Sequence, residues 1–194
     1  MLTAEQYAAE AKRRGILPAL CPPDCDYAGG DCIEQNPNEL GAFMAWVQQF
    51  EIKSYLEIGV SSGGLACYVA DMLKPERIYG ADLRFPRLFA SGMDFFQGSS
   101  QFNPWFDIWL EHVGTVDLVM IDADHSYDAV KADAASAAKL KPKIMAFHDI
   151  CGLRECDGVK RFWDTVIRDT KAGLVEFFID ADNPCRSGIG AIRM

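Results

Sequence analysis

From Lys53 onward, short apolar runs alternate with segments of helical period, and no other feature of this 194-residue chain limits its fold as tightly. Strands are expected near 54–59, 77–82, 94–98, 116–122, 143–149, 174–180 and 188–193, with helices near 62–73, 103–112, 126–140 and 157–171. Regular β-α alternation needs a mostly parallel sheet with helices on both faces, because parallel neighbours are joined only by crossovers. The stretch from Asp82 to Asp94 has room for at most one or two helical turns. Asp182-Asn183-Pro184 reads as a turn, so the last two strands should form an antiparallel hairpin. The expected architecture is therefore an α/β, doubly wound, mostly parallel seven-stranded sheet with a terminal antiparallel hairpin.

The first 52 residues differ in kind. Residues 3–14 suit a helix, with Thr3 as N-cap, Lys12, Arg13 and Arg14 in its last turn and Gly15 as its stop. Residues 15–37 read as loop, rich in Pro and Gly. Asn38 is then expected to cap a helix reaching Phe50, whose Leu40, Phe43, Met44, Val47 and Phe50 share a core-facing stripe. Charge sharpens the division: residues 1–52 hold eight acids and three bases, while residues 53–194 hold twenty and sixteen. Two parts follow: an acidic helix-and-loop extension over 1–52 and a nearly balanced domain over 53–194.

The net charge of -9 works against docking on nucleic acid or an anionic membrane. No apolar run approaches the roughly 18 residues of a membrane helix, and the start lacks a signal-peptide layout, so a cytoplasmic setting is expected. Seven scattered cysteines argue for reduced thiols over a disulfide framework. Cys21, Cys25 and Cys32 cluster, but structural zinc needs a fourth ligand and tighter pairing.

Ligands of open α/β sheets bind beyond the carboxyl ends of the strands. Here the first strand ends Leu56-Glu57-Ile58-Gly59 and passes through Val60-Ser61-Ser62-Gly63-Gly64 into a helix. Small residues let a ligand approach the backbone, and the helix start offers N–H groups. The second strand ends at Asp82, 23 residues after Gly59, a spacing that suits a carboxylate receiving both hydroxyls of a ribose. Glu57, Asp82, Asp122, Asp124 and Asp149 all fall at strand ends, and the sequence places no Lys or Arg among them. Such a rim repels a pyrophosphate and attracts the sulfonium and ammonium of S-adenosylmethionine.

Glu57-Ile58-Gly59-Val60-Ser61-Ser62-Gly63-Gly64, Tyr79-Gly80-Ala81-Asp82, Ile121-Asp122-Ala123-Asp124-His125-Ser126-Tyr127 and Phe147-His148-Asp149 resemble the successive motifs of class I S-adenosylmethionine-dependent methyltransferases. The nearest branch is methyltransferase family 24, the small-molecule O-methyltransferases akin to macrocin and cephalosporin-pathway enzymes; Gln35-Asn36-Pro37 with Glu39-Leu40 resembles the segment before that core. The resemblance implies a Rossmann-like methyltransferase fold and cofactor contacts from Gln35, Ser61 and Ser62. It also implies Glu57, Gly59 and Gly63 at the methionine end, Asp82 and Leu83 at the ribose, and Gly98 and Ser99 at the adenine. Asp122 and His125 would lie under the methyl group, with His148 and Asp149 facing the substrate.

The residues make part of that case on their own. Of three histidines, His125 and His148 end adjacent strands, and a His can take the proton of an oxygen nucleophile, so His125, His148 and Asp149 are the catalytic candidates. Asp122 and Asp149 end neighbouring strands about 4.8 Å apart, close enough to share a divalent ion such as Mg2+. Catechol-type relatives follow the second Asp with Asn, where this chain has Ile150, which leaves the third ligand open. Lys141-Pro142 is followed by Lys143-Ile144 in place of the usual Gly-Gly, a turn change. Residues 15–37, 151–157 and 182–188 are the candidate lid.

Tyr127 and Lys131 match the Tyr-x-x-x-Lys spacing of short-chain dehydrogenases, but they open the helix after the fourth strand, and no Thr-Gly opens the glycine loop. Tyr127 reads better as a pocket wall. Trp105 and Trp109, at i and i+4, read as core packing rather than a substrate shelf with Trp46. The expected activity is methyl transfer to an oxygen of a small-molecule acceptor, with a homodimer as the assembly to test. The alternative is a non-catalytic binding module on the same scaffold.

Overall fold

The computed structural model describes residues 1–15, 33–152, 157–170, 173–178 and 187–194. Seven strands form one sheet: β1 (Ser54–Ile58), β2 (Arg77–Asp82), β3 (Asp94–Gln97), β4 (Leu118–Ile121), β5 (Ile144–His148), β6 (Leu174–Phe177) and β7 (Ile189–Arg193). Their order is β3-β2-β1-β4-β5-β7-β6. The first five run parallel, and β7 lies antiparallel between β5 and β6. The seven-stranded, doubly wound expectation holds, with the antiparallel β6-β7 pair at one edge. Its turn at Asp182-Asn183-Pro184 lies outside the described residues.

The helices are α1 (Ala4–Arg14), α2 (Pro37–Val47), α3 (Gly64–Leu73), α4 (Pro104–Val113), α5 (Tyr127–Lys139) and α6 (Asp157–Phe162). Strand side chains alternate between two cores, as a period of two requires. Tyr55, Leu118, Met120, Ile144 and Ala146 face one core, built with Leu40, Phe43 and Met44 of α2 and Leu65 and Val69 of α3. Leu56, Ile58, Val119, Ile121, Met145 and Phe147 face the other, against Phe106, Val130 and Trp163.

Three local expectations change. The cap of α2 is Asn36, whose side chain accepts from Asn38 and Glu39 N–H. Asn38 sits inside the helix because Pro37, with its preset φ and missing N–H, is favoured at the first helical position. No helix occupies residues 83–93, the stretch allotted one or two turns. The helix expected over 157–171 is α-helical only through Phe162, then continues as a π-turn at Trp163–Ile167 and a 3-10 turn at Arg168–Thr170.

Trp109 packs with Tyr79, Phe96 and Phe106, as the spacing predicts. Trp105 does not; it is 70% exposed.

Candidate active site

A cleft of about 710 Å³ opens at the carboxyl ends of β1, β2, β3 and β4. Gln35, Glu57, Gly59, Ser61, Ser62, Asp82, Leu83, Gly98, Ser99, Asp122 and His125 all line it. Sequence reasoning missed Glu34, Arg84, Phe85, Arg87, Ser100 and Gln101. Ser100 and Gln101 follow directly on Gly98-Ser99 and could have been found by extending that turn. Arg84 and Arg87 correct the reading of the rim as free of bases: they lie just past Asp82, in the connection that forms no helix and so folds back over the cleft.

The glycine turn is dictated by space. Gly59 has φ +95, and a Cβ there would lie 2.0 Å from the Asp122 carbonyl oxygen. Gly63 has φ +91 and faces the Leu88 carbonyl equally closely, but it does not line the cleft where it was expected. Its work is to let residues 86–88 close on the turn. Asp82 is held at both oxygens: Ser61 N–H donates to Oδ2 at 2.8 Å and Arg84 N–H to Oδ1 at 2.9 Å.

Glu57 sits at the back of the cleft, 2% exposed, and accepts from Tyr55 Oη at 2.8 Å, two residues back on the same strand face. Burial holds its carboxyl well above the usual range; the Tyr55 bond opposes this, and the nearby Asp122 and Asp82 charges add to it. Gln35 Nε2 donates to Asp122 Oδ2 at 2.8 Å, while its buried Oε1 has no hydrogen-bond partner. A buried acceptor without a partner and a buried acid in one cleft suit a cation or a donor.

At β4 and β5 the register Ile121↔Phe147 brings Asp122 beside His148. His148 Nδ1 lies 3.4 Å from Asp122 Oδ2 and 3.3 Å from Asp149 Oδ2. His125 Nε2 lies 3.4 Å from Asp122 Oδ1 and 3.3 Å from Asp149 Oδ2. Burial raises the Asp122 carboxyl, but His148 and His125 outweigh it and hold it below the usual carboxylate range. For His148 burial lowers and the charges of Asp122 and Asp149 raise, leaving it well above an ordinary imidazole. Asp122, His148 and Asp149 each offer a ligand atom within 4.8 Å of the others.

His125 faces the cleft. His148 and Asp149, expected to face a substrate, are 4% and 8% exposed and lie beneath its lining. Asp149 holds φ +61, a left-handed geometry that Asp tolerates better than most residues and that turns the chain away at once. Tyr127, expected as a pocket wall, does not line this cleft: it packs edge-on against Phe162 with Arg161 over its ring. The Cys21, Cys25 and Cys32 cluster and most of the expected lid lie outside the described residues.

The family described as a methyltransferase domain matches residues 56–150, from within β1 to just past β5. Among curated proteins, none matches the sequence. Similar solved structures include the MycE methyltransferase of the mycinamycin biosynthetic pathway, determined with Mg, SAH and mycinamycin VI (14% identity, 99% of this chain, 54% of that one, TM-score 0.62). Others are the O-methyltransferase TomG from Streptomyces achromogenes with SAM (18% identity, 100% and 91%, TM-score 0.56) and an O-methyltransferase from Bacillus cereus with SAH (14% identity, 99% and 100%, TM-score 0.59). This chain spans about half the length of MycE.

Proposed function

Residues 56–150 belong to a methyltransferase-domain family, and from that premise we propose that the cleft binds S-adenosylmethionine and that the protein methylates an oxygen of a small-molecule acceptor. The observation that carries this reading is the cleft itself: a glycine turn that admits no side chain, a fixed Asp82 carboxylate, and a buried acid with an orphaned amide oxygen at the far end. These fit, in order, a close backbone approach, a ribose diol and a cationic methionine end. Residues 53–194 would carry the catalysis and residues 1–52 the cover, with Glu34 and Gln35 supplying part of the cleft wall.

When bound, S-adenosylmethionine supplies an electrophilic methyl group for in-line displacement by the acceptor oxygen. Asp82, anchored by two backbone donors, accepts the ribose hydroxyls on its remaining lone pairs. Glu57 and Gln35 Oε1 receive the ammonium, and binding there favours the ionised form of Glu57. His125, one-third exposed and facing the cleft, takes the acceptor proton; Asp122 and Asp149 orient its ring and stabilise the charge it gains. His148 and Asp149 act from beneath as positioning residues.

A divalent ion such as Mg2+ suits the carboxylates of Asp122 and Asp149, and it would lower the pKa of an acceptor hydroxyl. Transfer of labelled methyl to a panel of small hydroxylated acceptors tests the activity. Transfer lost in His125→Ala supports it; tight S-adenosylmethionine binding with no transfer to any acceptor favours a non-catalytic binding module.

A further inference from the structure

Behind the carboxylate cluster runs a buried polar chain that the proposed chemistry does not use. Glu39 of α2 is 1% exposed, and Ser187, just before β7, is fully buried. Gly188 N–H donates to Glu39 Oε2 at 2.9 Å and Ser187 Oγ–H to the same oxygen at 3.1 Å. His148 Nε2 lies 3.2 Å from Ser187 Oγ. A carboxylate only accepts, so the single Ser187 proton goes to Glu39 and the contact to His148 must run from Nε2–H to Oγ. With Nε2 turned to Ser187, Nδ1 is the nitrogen that points between Asp122 and Asp149, and an ion bound there would displace the proton these carboxylates otherwise hold on it.

At 3.3 and 3.4 Å, those Nδ1 contacts are longer than the roughly 2.7–2.9 Å of a charge-assisted hydrogen bond. They are close to the separation of about 3 Å expected between adjacent ligands on an ion with bonds near 2.1 Å. A ring nitrogen whose partner nitrogen is pinned by a hydrogen bond is the usual build of a metal-ligating histidine. An imidazole ligand suits first-row transition ions, whereas Mg2+ prefers oxygen and keeps its waters.

We infer that His148 Nδ1 completes an Asp122–His148–Asp149 site for a first-row transition-metal dication, with Ser187 and Glu39 holding the ring in its ligating tautomer. The inference rests on reading the two carboxylates as a metal site, and is independent of methyl transfer. It also supplies the third ligand that Ile150 cannot.

Because almost any such site prefers late metals to Mg2+, the decisive quantity is how variants change the ratio. The whole protein is titrated with Co2+, followed by its visible absorption, and with Mg2+ by calorimetry. In the original protein Co2+ binds with nitrogen-ligand bands. Glu39→Gln and Ser187→Ala each weaken Co2+ by about 10–100-fold and change Mg2+ by less than about threefold. His148→Asp removes the nitrogen bands and shifts the Co2+/Mg2+ ratio toward Mg2+ by at least about tenfold. S-adenosylmethionine binding of each variant checks folding and the cleft separately. Co2+ binding with a spectrum and affinity unmoved by all three substitutions overturns the role of His148. Absence of binding by either ion overturns the metal reading itself, while leaving the cofactor cleft standing.

Discussion

At the ends of β1 and β2 the cleft is made of backbone, whereas the cluster that adjoins it at the ends of β4 and β5 is made of side chains gathered from distant parts of the chain. In the first half, Gly59 clears space and Ser61 and Arg84 N–H groups hold Asp82, all within one β-α-β stretch. In the second, Asp122, His125, His148 and Asp149 converge, with Gln35 on the cleft side of Asp122 and Glu39 and Ser187 behind His148. Recognition built on backbone tolerates little variation in shape. Chemistry built on side chains can be retuned one residue at a time.

If that division is real, substitutions should separate cleanly between the halves. The largest effect is expected from His125→Ala: turnover falls about 10²–10⁴-fold, while S-adenosylmethionine affinity moves by less than about threefold. Rapid-quench turnover beside equilibrium binding checks this, and a matching loss of affinity would break the division. Asp82→Ala should do the reverse, weakening cofactor binding about 30–100-fold through two lost charge-assisted hydrogen bonds and leaving Co2+ affinity at the His148 cluster unchanged.

A smaller effect belongs to α5, where a buried acid faces Ser100 and Gln101 of the cleft wall. Asp133 of α5 is fully buried, neither carboxylate oxygen has a well-formed hydrogen bond, and its pKa is raised from 3.8 to about 6. Burial causes the rise, and the Ser100 and Gln101 side chains that face it oppose it only in part. A carboxyl raised on folding lends stability that is full below about pH 4 and is lost as pH climbs through about 6. Replacement by Asn should flatten that stretch of the stability-pH curve, removing a loss of about 1–3 kcal/mol. Denaturant melts at pH 4 and pH 8 give the answer; equal slopes in both proteins would sink it.

The same contrast explains what could be read from sequence. The seven strands and the glycine turn were legible because short apolar runs and the Gly59-to-Asp82 spacing are local signals. His125, His148, Asp122 and Asp149 were legible because they end strands. Their division into a cleft-facing His125 and a buried His148 was not, since it depends on the left-handed turn at Asp149 and on how far each ring projects. Glu39 was visible only as part of a resembling segment; its contact with Ser187 spans 148 residues and has no sequence signature. Arg84 and Arg87 were missed because the connection after Asp82 was read only as room for one or two helical turns, not as part of the cleft wall. Trp105 was misplaced because spacing alone does not say which of two neighbouring helix positions meets the sheet.

Equilibrium titration of the folded protein with S-adenosylmethionine bears most directly on the cleft as a methyl-donor site. One molecule per chain should bind in the micromolar range, and Asp82→Ala should weaken it while the fold is retained. A folded protein that gives no binding in that range, or binds equally well without the Asp82 carboxylate, would contradict it.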